Sequence, residues 1–205
     1  MFDVQRSGRL ATLALTACLL AAGCAALPVL APAPAPAPPS LKARQAATSF
    51  SINGRIAARD TGDTKRGFSG GFSWDHKSDR DVVELLTPLG QIAARLTLTV
   101  AGADIELADG QHTTTRDPEQ FLTRAIGIGM PLAALPYWMQ AVAAPSAPVR
   151  AEADAIGRPA ALWQNGWLIR YTEYADAGVD AYPTRIELSQ GDTEARMIIA
   201  DWKTP

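Results

Sequence analysis

Four side chains in this 205-residue chain carry a thiol or an imidazole, and where they fall limits the covalent chemistry open to it. Cys18 and Cys24 both lie within the first 24 residues, so the remainder can hold neither an internal disulfide nor a thiolate metal site. His76 sits in the polar stretch Asp75-His76-Lys77-Ser78-Asp79, which reads as a turn, and His112 in Gln111-His112-Thr113-Thr114-Thr115, which reads as a surface strand edge. Both are expected to be solvated, and neither has a nucleophile or an orienting acid at a spacing that would make it a general base. Scattered acids such as Glu84 and Asp104 form no acid–base pair, and no closely spaced His, Cys or carboxylate set suits a metal ion. Gly67-Phe68-Ser69-Gly70-Gly71 does not precede a helix, so it is not a phosphate loop. An enzyme, a resident cofactor and a bound metal are therefore not expected. One covalent chemistry remains, at Cys24.

Leu20-Ala21-Ala22-Gly23-Cys24 resembles a bacterial lipobox, in which the cysteine is lipidated and becomes the first mature residue. Arg6 and Arg9 supply a short positive n-region, and the apolar run over residues 10–23 falls short of the ~20 residues a spanning helix needs. Residues 1–23 thus read as a lipoprotein signal peptide. Leu15-Thr16-Ala17-Cys18 also fits the pattern, but cleavage there would leave an apolar core of residues 10–17 alone, so Cys24 is preferred. An ordinary signal peptide with an incidental cysteine is the other reading. Lipidation would make the protein membrane-anchored. Ala25, in the place where some bacteria use aspartate for inner-membrane retention, implies the outer membrane. Residues 24–48 then form a Pro/Ala-rich tether. Its Ala-Pro alternation favours extended polyproline II, and sixteen such residues reach about 50 Å.

Residues 49–205 carry the folded domain, long enough for one substantial core. Net charge is −2, and −3 once residues 1–23 with Asp3, Arg6 and Arg9 are removed. With no basic run, a nucleic-acid partner has no electrostatic support.

Alternation of apolar residues marks the strands. Phe50, Ile52, Ile56 and Ala58 share one parity, as do Phe68, Gly70, Phe72 and Trp74, and then Ile92, Ala94, Leu96, Leu98 and Val100. Ile105 and Leu107 follow, with Asp109-Gly110 as a turn. Asp117-Pro118-Glu119-Gln120 opens a helix with an N-cap, a proline at the first helical position and a glutamine placed for a capping box. Phe121, Leu122, Ala125 and Ile126 form its apolar face, and Gly127 or Gly129 ends it. A second short helix is read over residues 131–142, with Pro136 inside it, and residues 143–155 as loop. Strands resume over residues 161–164, 167–174, 185–189 and 195–202. Short antiparallel strands with one helical insertion predict a mainly β fold with some α, a barrel or half-barrel whose mouth the helices partly cover.

Within that frame the stretch Leu85-Leu86-Thr87-Pro88-Leu89-Gly90 is unusual, because a turn made by Pro88 and Gly90 leaves a bare hydrocarbon, Leu89, at its apex. Leu89 either folds back over the rim of its own core or meets something apolar outside. Trp74, Trp138, Trp163, Trp167 and Trp202 pose a similar choice. They either fill the interior or line an apolar cavity, and periodicity does not separate a filled barrel from a hollow one.

Taken in order, the motifs resemble the LolB family of outer-membrane lipoproteins. They are Gly54-Arg55-Ile56-Ala57, Gly71-Phe72-Ser73-Trp74, the Pro88-Leu89-Gly90 turn, Gly129-Met130-Pro131-Leu132 with Leu135 and Trp138, Gln164-Asn165-Gly166-Trp167 with Tyr171, Pro183, and Asp201-Trp202. The resemblance spans Cys24 to Trp202. One departure is Ala141, where the family often has glycine shortly after the helix tryptophan. The resemblance implies a half-open antiparallel β-barrel with a helical lid over a hydrophobic cavity, for which Phe72, Trp74, Leu96, Leu98, Trp138 and Trp167 are the candidate lining. It implies that lipoproteins are accepted, by their acyl chains, from a LolA-like periplasmic carrier and inserted into the outer membrane, with Pro88, Leu89 and Gly90 as the membrane-insertion loop. The expected protein is a monomer on the periplasmic face, passing its cargo downhill on affinity alone. The alternative is a structural or assembly lipoprotein acting through protein contact without lipid binding.

Overall fold

The computed structural model describes residues 40–63, 65–126, 128–145 and 147–204. Cys18, Cys24, the signal residues, nearly all of the Ala-Pro stretch and Gly127 lie outside them.

The alternating segments form strands, each joined to the next by a hairpin: β1 (Phe50–Asp60), β2 (Gly67–Lys77), β3 (Arg80–Leu86), β4 (Ile92–Thr99), β5 (Gly102–Leu107) and β6 (His112–Thr115). Two helices follow, α1 (Pro118–Ile126) and α2 (Leu135–Met139), and then β7 (Arg150–Ala153), β8 (Pro159–Gln164), β9 (Trp167–Tyr174), β10 (Pro183–Gln190) and β11 (Thr193–Lys203). All pair antiparallel in one 11-stranded sheet of order β6-β5-β4-β3-β2-β1-β11-β10-β9-β8-β7. First and last strands meet in the middle, β1 on β11, while β6 and β7 remain as unjoined edges. The result is an open half-barrel, and the chain between its two edges is the helical segment.

Curvature is helped where a side chain is missing. Register shifts between Asn53 and Gly54, and a Cβ on Gly54 would lie 2.0 Å from the Ile198 carbonyl oxygen, so only glycine lets β1 and β11 approach there.

Three segments differ from the sequence reading. β7 was expected as loop; Arg-Ala-Glu-Ala carries no β-branched or aromatic residue, and it pairs only along an edge, with β8. α2 is five residues long instead of spanning 131–142. Pro136 fits its first turn, and Ala141, at φ +56°, turns the chain out of the helix. In α1 the capping box is half made: Asp117 Oδ1 accepts the Gln120 N–H at 2.8 Å, but the Asp117 N–H donates to Thr115 Oγ1 instead.

Residues 42–47, read as the end of the tether, are bonded to the domain. Lys42 donates its N–H to the Gly157 carbonyl at 2.9 Å, Arg44 donates to the carbonyls of Val179, Asp180 and Ala181, and Ala47 bonds the side chain of Gln140.

Candidate functional site

The hairpin joining β3 to β4 is closed by two backbone bonds and by the Thr87 hydroxyl, whose Oγ1 accepts the Gln91 N–H at 3.2 Å. Thr87 N–H donates to the Gln91 carbonyl at 2.8 Å and Gly90 N–H to the Thr87 carbonyl at 2.9 Å, with Gly90 at φ +84°. This is a three-residue loop ending in a left-handed glycine. Leu89 at its apex is 89% exposed, and Pro88 and Gly90 are exposed beside it. The hairpin from β5 to β6, at the same end of the sheet, is built alike. Leu107 N–H meets the Gln111 carbonyl and Gly110 N–H the Leu107 carbonyl, both at 2.9 Å, with Gly110 at φ +81°. There the third position is Asp109, whose carboxylate accepts the Gln111 N–H at 3.0 Å and its side-chain amide at 2.7 Å.

Behind the tip, the concave face divides in two. On one side α2 is packed against the inward residues of β1, β2 and β9–β11. Trp138 and Met139 are fully buried, alongside Phe50, Ile52, Phe72, Trp74, Trp167, Ile169 and Ile186. The Trp138 and Trp167 rings lie 6.3 Å apart. Polar groups fix this helix in place. Gln164, itself buried, accepts the Trp138 indole N–H and the Ala144 N–H at 2.8 Å each and donates to the carbonyls of Ala144 and Ala147, so its amide is fully satisfied. The Tyr171 hydroxyl donates to the Trp138 carbonyl at 2.9 Å, and burial pushes that phenol well above its ordinary pKa, which keeps the donor proton in place. Buried Gln140 accepts the Ala47 N–H at 2.7 Å and donates to the Pro136 carbonyl at 3.0 Å.

On the other side, β3–β5 carry a smaller core of Leu96, Ala103 and Ile105. Half-buried Val83, Leu85, Ala94 and Leu98 pack against it, as do half-buried Phe121 and Leu122 of α1, and Val83 and Leu85 also meet the α2 core. The convex side of these strands is polar: Arg95 pairs with Glu84 at 2.9 Å and Glu106 at 3.2 Å, and Ser73 donates to Glu84.

Of the six residues proposed as cavity lining, Phe72, Trp74, Leu96, Trp138 and Trp167 are buried and Leu98 is half-buried. All but Leu96 and Leu98 belong to the α2 core. An open cleft of about 830 Å³ lies elsewhere, by the β1–β2 hairpin and β9–β11, where Arg59, Arg170, Arg196, Glu187 and Glu194 stand beside Ala58, Phe68, Leu188 and Ala195.

His76 is not the solvated turn residue expected. It shares the inward parity of Phe72 and Trp74, its ring lies 4.8 Å from that of Phe50, and its Nδ1 is 2.6 Å from Asp81 Oδ1, which also accepts the Trp74 indole N–H at 2.7 Å. His112 is exposed, 3.9 Å from both Asp104 and Glu106. Among the described residues no group of three or more His, Cys, Asp or Glu side chains could hold a metal ion. Gln140 and Gln164 were not singled out as site residues. The signal for Gln164 was its place two residues beyond Leu162 on the inward side of β8, a polar residue at an apolar position.

An open antiparallel half-barrel, helically covered between its edge strands and tipped by a bare leucine, is a mainly β fold with few helices. A family model described as outer membrane lipoprotein LolB matches residues 48–202, and the chain belongs to that family. It is 40% identical over 160 residues to the outer-membrane lipoprotein LolB of Azoarcus sp. (strain BH72), covering 78% of this chain and 81% of that one. It is 32% identical over 212 residues to the LolB of Cupriavidus necator, covering 98% and 100%. Among solved structures, a LolA superfamily protein from Nitrosomonas europaea superposes with a TM-score of 0.48 at 12% identity, covering 79% of this chain and 88% of that one.

Proposed function

We propose that this protein receives lipoproteins from a LolA-like periplasmic carrier by taking up their acyl chains and inserts them into the outer membrane, while a lipid on Cys24 holds it at the periplasmic face. The observation that carries the reading is Leu89, 89% exposed on a backbone-closed turn next to an incompletely covered apolar face. Acyl chains released into water would cost about 0.8 kcal/mol per CH₂, so they must pass between apolar surfaces. Moving an exposed leucine into lipid returns about 1.5–3 kcal/mol, enough to bias the domain toward the bilayer without fixing it there. Room for the chains comes from the β3–β5 side. There the described side chains of α1 bring half-buried Phe121 and Leu122, whereas moving α2 would break the bonds of its C-cap residue Gln140 to Ala47 and those of Trp138 to Gln164 and Tyr171. The parts then divide the work: α1 yields, the concave face holds, and Leu89 delivers.

The test is lipoprotein transfer from a loaded carrier to this protein and on to vesicles. Leu89→Glu is expected to fold and to accept lipoprotein but to fail at insertion, since a carboxylate in place of the leucine opposes entry into hydrocarbon. Insertion at the wild-type rate by Leu89→Glu would overturn the role of the tip. No lipid uptake by the unmodified protein, together with a stable protein partner in pull-downs, would favour an assembly lipoprotein instead.

A further inference from the structure

The concave side of β3–β5 is built in cross-strand rows. The middle row is Val83–Leu96–Ile105 and the next, toward the Leu89 end, is Leu85–Ala94–Leu107. The middle row is covered: Leu96 and Ile105 are buried. In the outer row Leu85 and Ala94 are half-buried and Leu107 is 36% exposed, so coverage falls toward the tip, where Leu89 is bare. Ala94 is the small residue at the centre of its row. Leu85 and Leu107 stand on either side of it, so the row dips at its centre, a trough one side chain wide that meets buried Leu96 in the row behind. A register shift between Leu85 and Leu86 pairs Ile92 with Leu86, whose other partner, Gly71, has the convex-side parity. The bulge thereby takes Ile92 off the concave side, where it would have dammed the trough. At the opposite end, Leu98 is paired with Asp81, which is held by Trp74 and His76, so the apolar floor ends at a polar cluster. From Leu98 to Ala94 is about 13 Å of strand, close to the ~15 Å hydrocarbon depth of one leaflet.

The geometry points to the Leu85–Ala94–Leu107 trough as the path of a cargo acyl chain between the space under α1 and the bilayer at Leu89. This rests on the acyl-chain reading above and adds where the chain runs. A trough with an apolar floor, closed at one end by Asp81 and open at the other toward an exposed leucine, suits an unbranched hydrocarbon.

The experiment uses the full-length protein and a synthetic triacylated lipopeptide with a diazirine at the end of its acyl chains, photolysed without vesicles and mapped by mass spectrometry. Adducts are expected on Leu85, Ala94 and Leu107. Ala94→Leu, which fills the trough at a half-exposed position, is expected to lower them about tenfold or more with an unchanged circular-dichroism spectrum, and Ala94→Ser to leave them. Adducts confined to β1, β2 or β9–β11 would overturn the trough while keeping acyl-chain binding. So would labelling of these three residues only by a diazirine phospholipid in vesicles. The absence of any adduct on the domain would overturn both.

Discussion

The two helices that cover the half-barrel come from one stretch of chain yet are held in opposite ways. α2 is short, five residues, and has little helical stability of its own. It is kept in place by buried Trp138 and Met139 and by side-chain bonds from Gln164 and Tyr171. α1 is longer and capped by Asp117, so it is the better helix, but it meets β3–β5 through half-buried Phe121 and Leu122. Local helix quality and attachment to the sheet are therefore independent. The better-capped helix is, by its described side chains, the one that meets the sheet through half-buried residues.

The contrast can be broken by substitution. Trp138→Ala has the largest expected effect, a loss of about 3–5 kcal/mol in denaturant unfolding, because it opens a cavity and also removes one of the two bonds to the Gln164 oxygen. Phe121→Ala is expected to cost about 1–2 kcal/mol and to raise the rate at which a fluorescent fatty acid is taken up, followed by tryptophan quenching. If it destabilised the protein as much as Trp138→Ala, or slowed uptake, α1 would be a fixed part of the core. Ala141→Gly sharpens the α2 side with the smallest change. Relief of a left-handed alanine, about 1–2 kcal/mol, is set against the loss of a buried methyl, about 0.8, so stability should move by less than about 1 kcal/mol. A loss above about 2 kcal/mol would show that the methyl is essential to the packing.

These helices also show what the sequence made legible. Asp117-Pro118 announced α1 because caps are local chemistry, and strand parity placed Phe72, Trp74 and Leu96 inward because alternation is local geometry. The end of α2 was not legible. It depends on a left-handed alanine that composition would not predict. His76 was misjudged for a similar reason: its neighbours in sequence are polar, but its neighbours across the sheet are Phe50 and Asp81. The paired anchors Gln140 and Gln164 depend on contacts across 93 and 20 residues of chain, which no periodicity records. The Leu89 turn was legible in its backbone, through proline and glycine, and left open in its side chain.

The twin turns of β3–β4 and β5–β6 bear on how such a residue is recognised at all. Backbone ladder bonds and one left-handed glycine close each turn; Asp109 adds side-chain bonds to Gln111, whereas Leu89 is exposed and has no polar group to add. Folding therefore sets no requirement on residue 89, and a mutational scan scored by expression or thermal stability would record it as neutral. If Leu89 acts as proposed above, its contribution would register in a transfer assay and leave no trace in a stability screen.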